Sequence, residues 1–440
     1  MRTFLNLTFL GLIVPLVSSI PIDRSQAQAS GNVERDYIVV LKNHISKREL
    51  LSHTAWTGEV HAGFLRKRQD SGLVQGTEPT GVKKIFDIHN FKAYSGAFDS
   101  ETLHEINKHE QVDYIEKASP IHLNEVATDV TGQWGLSTIS HKTSQNDTIQ
   151  DSQSSQLTPA DFNGTYRYDE SAGEGMFAYV IDSGINIAHK DFEGRAEIGY
   201  DALHPDSKTH NDTHGHGTHT AGTIASKTYG VAKKARVISV KVIDRVEYQR
   251  NTSADLLDGI NWAANDIVKK NRQNFAVINL SMAISYSRAI NDALDNAYKM
   301  GVLTVVAAGN NNMDVKGENS SPTTASKAFV VGAIGADNRR WIDSERTGSN
   351  YGDMVDIMAP GDKIVSLGIE NNIDATSIKS GTSMAAPHVA GLVCYLRRLE
   401  GLKSPEEVTS RLLQLAQKDV LDGASLKGSP NLLAYNGNGL

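Results

Sequence analysis

Cysteine is almost missing from this chain: Cys394 stands alone. No intramolecular disulfide can form, so stability must come from core burial, with ions and glycans as further sources. Cys394 sits in the apolar pattern Val389-Ala390-Gly391-Leu392-Val393-Cys394, which predicts a buried, inert thiol. A basic excess is missing too. Over 440 residues, 44 Lys and Arg face 51 Asp and Glu, a net charge of −7, so nucleic acid is not an expected partner. The amino end carries an apolar run of the targeting kind. There Arg2, the run Phe9-Leu10-Gly11-Leu12-Ile13-Val14 and the small Ser18 and Ser19 read as a signal peptide over residues 1–19. The run is too short for a membrane span, and no later segment is apolar enough for one. The expected location is therefore secreted and extracellular, with no membrane partner. Sequons at Asn146, Asn163, Asn211, Asn251 and Asn319 suit a secreted glycoprotein, whereas Asn279 lies in a strand pattern and is expected to be buried and unmodified.

At this length, with 39% hydrophobic and 22% charged residues, the chain can fold as one large domain and one small one. Residues 36–118 read as β-α-β-β-α-β. Strand-like runs cover Asp36–Lys42, Gly81–Phe98 (broken near His89-Asn90) and Val112–Glu116, and helical patterns cover Lys47–Arg66 and Ser100–His109, the second capped by Ser100. This order predicts a small α+β domain of the ferredoxin-like, split-βαβ kind. From Met176 the pattern changes. Strand-like runs at Phe177–Ile181, Val237–Ile243, Phe275–Leu280, Val302–Ala307 and Phe329–Ile334 alternate with helices such as Ser253–Lys270, capped by Ser253, and Asn291–Met300. Such alternation predicts an α/β fold with a parallel sheet covered by helices, whose sites lie at the carboxyl ends of the strands.

Asp182 closes the run Tyr179-Val180-Ile181-Asp182-Ser183-Gly184. His216 opens His216-Gly217-Thr218-His219, and Ser383 lies in Gly381-Thr382-Ser383-Met384-Ala385-Ala386-Pro387-His388. Asp, His and Ser in this order can form a nucleophile–base–orienter triad. A serine hydroxyl needs an adjacent base, here His216, and Asp182 would hold the imidazole in the right tautomer. Small residues after Ser383 suit a closely packed helix, with Pro387 expected in its first turn. The run Val306-Ala307-Ala308-Gly309-Asn310 delivers a carboxamide just past a strand, and Asn310 with the Ser383 N–H is the candidate oxyanion pair. Four histidines, His210, His214, His216 and His219, crowd one segment, but the HExxH pattern of a zinc enzyme is absent. Of the four, only His216 is read as catalytic; His219 is read as a packed or hydrogen-bonded residue.

These blocks closely resemble the subtilase family, in particular its proteinase K-like branch of secreted fungal enzymes. The resemblance covers nearly the whole chain after the leader: residues 20–118 are similar to the family's inhibitory propeptide, with its folded part at about 36–118. Residues 125–437 are similar to the catalytic domain. It implies a three-layer fold around a seven-stranded parallel sheet and a serine endopeptidase acting through an acyl-enzyme on broad protein and peptide substrates. It also implies a precursor that removes its own propeptide by a cut between about Lys117 and Ala127. The propeptide is then the implied intramolecular partner, the enzyme a monomer, and no cofactor serves the chemistry. The branch has a Leu-Gly-Gly-type substrate segment where this chain has Ser281, Met282, Ala283 and Ile284, so side chains in place of glycines should narrow the pockets. It also carries a structural calcium, whose carboxylate matches Asp356, with carbonyls near Ser326 and Ala328. The rival reading is a catalytically silent secreted protein that kept the fold as a binding module. Loss of a triad residue would favour it, and none is lost.

Overall fold

The computed structural model describes residues 36–70, 79–121, 123, 126–127, 133–142, 165–207, 211–244, 251–370 and 373–437. The expected leader at 1–19, Asn146, Asn163 and His210 lie outside them. Among the described residues no helix is long and apolar enough to cross a membrane.

The first domain follows the expected order: β1 (Asp36–Leu41), α1 (Lys47–Asp70), β2 (Gly81–Ile88), β3 (Phe91–Ala97), α2 (Ser100–Lys108) and β4 (Val112–Lys117). The strands pair antiparallel as β2-β3-β1-β4, the ferredoxin-like arrangement. One face of this sheet buries Val39, Leu41, Tyr94 and Phe98 against its own helices, with Leu50 of α1 and Ile106 of α2. The other face, with Ile38, Val40, Phe86 and Ile88, joins the large core of the following domain. Alternation along each strand thus gives this small domain two apolar faces. The cap of α2 is corrected from Ser100 to Asp99, whose carboxylate accepts from Thr102 N at 2.7 Å.

The second domain contributes β5 (Val126–Ala127), α3 (Trp134–Thr138), β6 (Phe177–Asp182), β7 (Ala196–Asp201), α4 (His216–Ala225), β8 (Arg236–Lys241), α5 (Ser253–Lys269) and β9 (Ala276–Leu280). There follow β10 (Ile284–Ser285), α6 (Arg288–Lys299), β11 (Leu303–Ala307), α7 (Val315–Glu318), β12 (Ser320–Ser321), β13 (Phe329–Ile334) and β14 (Ile357–Pro360). The chain ends with β15 (Ile364–Leu367), β16 (Thr376–Ser380), α8 (Thr382–Glu400), α9 (Pro405–Leu415), β17 (Gln417–Lys418) and β18 (Leu432–Leu433). The main sheet runs β17-β18-β14-β13-β11-β9-β6-β8-β7. From β14 to β7 all ladders are parallel, which gives the implied seven strands. The short β18 extends this run and β17 returns antiparallel at the edge. Helices α4 and α8 cover one face of the sheet, and α5 and α6 the other. The Asp36–Lys117 domain packs on that second face, its β2 against α5 and α6. Helix α5 begins at Ser253, but its cap is Thr252 in a capping box with Asp255, one residue earlier than expected.

Candidate active site

Strand β6 lies between β8 and β9 with a buried interior on both faces, so its last residue reaches the carboxyl edge of the sheet. That residue is Asp182, fully buried. His216 begins α4 after Gly215, whose φ of 89° turns the chain into the helix. Its Nδ1 donates to Asp182, 2.8 Å from Oδ1 and 2.9 Å from Oδ2. This contact fixes the tautomer: Nδ1 carries the proton and Nε2 bears the lone pair. The close approach depends on Gly217, where a Cβ would lie 2.1 Å from the Gly184 carbonyl oxygen.

Sequence reasoning missed Asp212. Its buried carboxylate ties the two motif segments together. Oδ1 accepts from Ser183 Oγ at 2.8 Å, His214 N at 3.0 Å and Gly215 N at 2.8 Å. Oδ2 accepts from Thr218 N at 2.9 Å and Thr218 Oγ1 at 2.6 Å. Ser183 Oγ in turn accepts from Gly217 N at 3.0 Å. One carboxylate therefore caps the helix that starts with His216 and holds the turn that follows Asp182. A signal existed: an acidic residue four positions before a helix-opening histidine, in a stretch rich in Gly and Thr.

Ser383 is the second residue of α8 and almost fully buried. Gly381, at φ 145°, makes the turn from β16 into the helix. Ser383 Oγ donates to the Ser281 carbonyl at 2.9 Å. Thr382 donates from both N (2.8 Å) and Oγ1 (2.7 Å) to Asn310 Oδ1. The carboxamide oxygen is thereby occupied, and the –NH2 end is the one that can serve a ligand. Asn310 follows β11 in the parallel sheet, so Asp182 and Asn310 emerge on the same edge, as expected. The loop that bears Asn310 is tied by Asn350, whose Oδ1 accepts from Asn311 N and Met313 N, each at 3.1 Å. Pro387 is corrected: it is the sixth residue of α8, beyond the first turn. The position removes the amide that would pair with the Ser383 carbonyl.

Ser281, Met282 and Ala283 leave β9 beside Ser383. The side chains of Ser281 and Met282 are buried, Met282 within the main apolar cluster, and Ala283 is half-buried. His219 is buried with Nε2 2.9 Å from the Ile364 carbonyl, the packed role expected of it. Among the described residues no group of three His, Cys, Asp or Glu gathers as metal ligands. Asp356 is half-buried, and its Oδ2 accepts from Val330 N at 2.7 Å. Burial pushes its carboxyl up to about 6. A desolvated carboxylate of this kind fits a hard cation, which would offset its charge. Cys394 is buried, and burial pushes its thiol up to about 12, the inert state expected.

Asn211 and Asn319 are exposed, and Asn279 is fully buried with its Nδ2 on Ser281 Oγ at 2.9 Å. The expectation of a glycan on Asn251 is corrected. That side chain is fully buried and donates to the Asp244 carbonyl at 3.1 Å, because Ser119, Pro120 and Ile121 pair across this segment.

Residues 173–439 match the model of the subtilase family, and residues 36–124 match that of peptidase inhibitor I9. The chain is 44% identical over 433 residues to alkaline protease 1 of Aspergillus flavus, covering 98% of each chain. It is 41% identical over 432 residues to the subtilisin-like proteinase Mp1 of Magnaporthiopsis poae, covering 97% of each. The crystal structure of a cold-adapted subtilisin-like serine proteinase superposes with a TM-score of 0.57 at 31% identity, over 69% of this chain and 98% of that one. The chain therefore belongs to the subtilase family, as a serine endopeptidase made with a propeptide.

Proposed function

We propose that Ser383 is the nucleophile of this endopeptidase, with His216 as base and then acid and Asp182 as its orienting carboxylate. The single observation that carries the reading is the buried Asp182–His216 pair on the sheet edge that also receives Asn310. As Ser383 Oγ attacks a peptide carbonyl, its proton passes to His216 Nε2. The imidazolium is stabilised by Asp182 and then protonates the leaving amine. Water, deprotonated by the same imidazole, releases the acyl group and restores the serine. The oxyanion is met by Asn310 Nδ2 and the Ser383 N–H at the start of α8. Loss of one such donor costs on the order of 10²–10³ in turnover, a figure measured in a subtilisin. The reaction needs no cofactor.

Strand pairing supports a self-cleaved precursor. Ser119 and Ile121 pair antiparallel with Asn251 and Ser253, through Ser253 N to Ser119 O at 2.7 Å and Ile121 N to Asn251 O at 3.1 Å. On the other side, Val126 and Ala127 pair with Ser380 and Lys379, just ahead of Ser383. Pairing thus holds the segments on either side, and we place the cut between Ile121 and Val126. The protein would carry a leader at 1–19, a propeptide at 20–118 and a catalytic domain at 125–437. It would be secreted and act as a monomer on broad, accessible protein substrates. The side chains at Ala283 and Ile284 favour narrower pockets than glycines would. Calcium at Asp356 and glycans at the exposed Asn211 and Asn319 complete the reading.

The test compares secreted wild type with Ser383→Ala on casein, following activity and chain mass. The wild type is expected to digest casein and to shed about 100 residues of propeptide, a length typical of a small domain, while the variant stays full-length and inert. A folded wild type that remains full-length and inactive would sink the proposal and favour the binding-module reading.

A further inference from the structure

Helix α5 turns one polar face toward β2 of the propeptide. Asp255, Asp258, Asn261 and Asn265 recur at helical spacing along it, and β2 lies across them. Asp87 N donates to Asn261 Oδ1 at 3.0 Å, and Asn265 Nδ2 donates to the Asp87 carbonyl at 3.0 Å. The remaining contact is of a different kind. Lys84 Nζ donates to the Ala202 carbonyl at 2.7 Å and to Asp255 Oδ1 at 2.7 Å, and it lies 3.3 Å from Asp258 Oδ2. An ammonium has three protons, and the catalytic domain supplies an oxygen for each.

Both carboxylates of the cradle are held by groups of the catalytic domain. Asp255 Oδ2 is held by Thr252 N at 2.9 Å, and Asp258 Oδ2 by the Tyr200 hydroxyl at 2.9 Å. Tyr200 is itself stacked on Trp262, with ring centroids 5.5 Å apart and planes 4° from parallel. The side chains are 14% exposed for Asp255, 10% for Asp258 and 21% for Lys84, so little water screens the contact. Burial pushes the Asp258 carboxyl up, while Lys84 and the Tyr200 hydroxyl pull it down. This face lies across the sheet from α4 and α8, which bear His216 and Ser383.

We propose that Ala202 O, Asp255 and Asp258 form a lysine-binding exosite, and that its occupant, Lys84 of the chain's own propeptide, sets how long the cut propeptide stays bound. The inference rests on the self-cleavage described above. After the cut, no covalent bond holds the Asp36–Lys117 domain, and its departure must pull an ammonium out of a partly desolvated pair of carboxylates.

The experiment uses the full chain and times the interval between appearance of the cleaved band and onset of casein hydrolysis, at low and high salt. Lys84→Met keeps the alkyl stem and removes the charge. Asp258→Asn keeps the shape and leaves the propeptide untouched, so it carries the test if Lys84→Met fails to self-cleave. Each variant is expected to shorten the interval at least about tenfold, and each should lose most of the shortening that salt produces in the wild type. The double variant should be no faster than either single one, and Lys84→Asp with Asp258→Lys should recover part of the delay. The mature enzyme from Lys84→Met has the wild-type sequence, so its final specific activity is an internal control. Wild-type intervals in both single variants, with unchanged salt dependence, would overturn the exosite. A wild type that never self-cleaves would instead overturn the catalytic reading on which it rests.

Discussion

Replacing Asp212 by alanine tests whether one buried carboxylate holds Asp182 and His216 in register. The carboxylate accepts five hydrogen bonds, two from the hydroxyls of Ser183 and Thr218 and three from the amides of His214, Gly215 and Thr218. The hydroxyls can rotate to other acceptors. The three amides stand at the start of α4 and have no carbonyl behind them. Hydrogen bonds to a charged acceptor contribute about 1.5–3 kcal/mol each, and water entering the vacated space recovers part of that, so the expected loss of stability is about 3–5 kcal/mol. Catalysis should suffer separately. Without Asp212, Ser183 Oγ loses the contact that orients it toward Gly217 N, and the helix bearing His216 can shift against the Asp182 turn. A misplacement near 1 Å costs on the order of 10²-fold, so kcat should fall about 100-fold with KM within about twofold. Stability is best measured by urea unfolding in a Ser383→Ala background, which prevents self-digestion. Activity is read as the rate of self-cleavage and as hydrolysis of a chromogenic peptide. Asp212→Asn keeps one acceptor but sets an –NH2 against the donors, so it should lie between alanine and wild type. The reasoning is refuted if Asp212→Ala unfolds at the wild-type urea concentration and keeps kcat within about threefold.

Two further outcomes follow from buried groups. Met384 is fully buried beside Ser383, so peroxide should inactivate the enzyme as Met384 becomes a polar sulfoxide; Met384→Leu, close in volume, should keep activity within a few-fold and resist peroxide. Retention of full activity after mass spectrometry shows Met384 oxidised would contradict this. Asp356 holds its proton to about 6 against an ordinary 3.8, so the native state binds it more tightly than the unfolded chain does. Stability of the calcium-free Ser383→Ala chain should therefore fall as pH rises from about 4 through 6, by up to about 3 kcal/mol, and level off above. Calcium should restore the loss at pH 7 and do nothing at pH 4, and Asp356→Asn should abolish both effects; melting curves with and without calcium decide it.

Much of this protein was legible along the chain. The Asp182, His216, Asn310 and Ser383 segments are local: each joins a buried strand or a helix start to glycines that permit a tight approach, and strand–helix alternation implies a parallel sheet whose edge collects them. The inhibitor-like domain was equally readable, because its strands and helices keep their own periods within about 80 residues, a length typical of a small domain. Other features were settled by contacts between residues far apart. Helix caps moved by one position, from Ser100 to Asp99 and from Ser253 to Thr252, because neighbouring polar side chains compete and backbone geometry chooses among them. Pro387 fell outside the first turn of α8 because the turn at Gly381 starts the helix at Thr382. Asn251 reads as a surface sequon, yet Ser119–Ile121 pairs across it from 130 residues upstream in round terms, about the span of a whole domain. Asp212 looks like any loop carboxylate until folding gathers five donors around it. Lys84 is one charge among many on a strand until α5, 171 residues away, brings Asp255 to its side. Periodicity and turn chemistry are encoded by neighbours in sequence; burial, and the charges it forces together, belong to the tertiary fold alone.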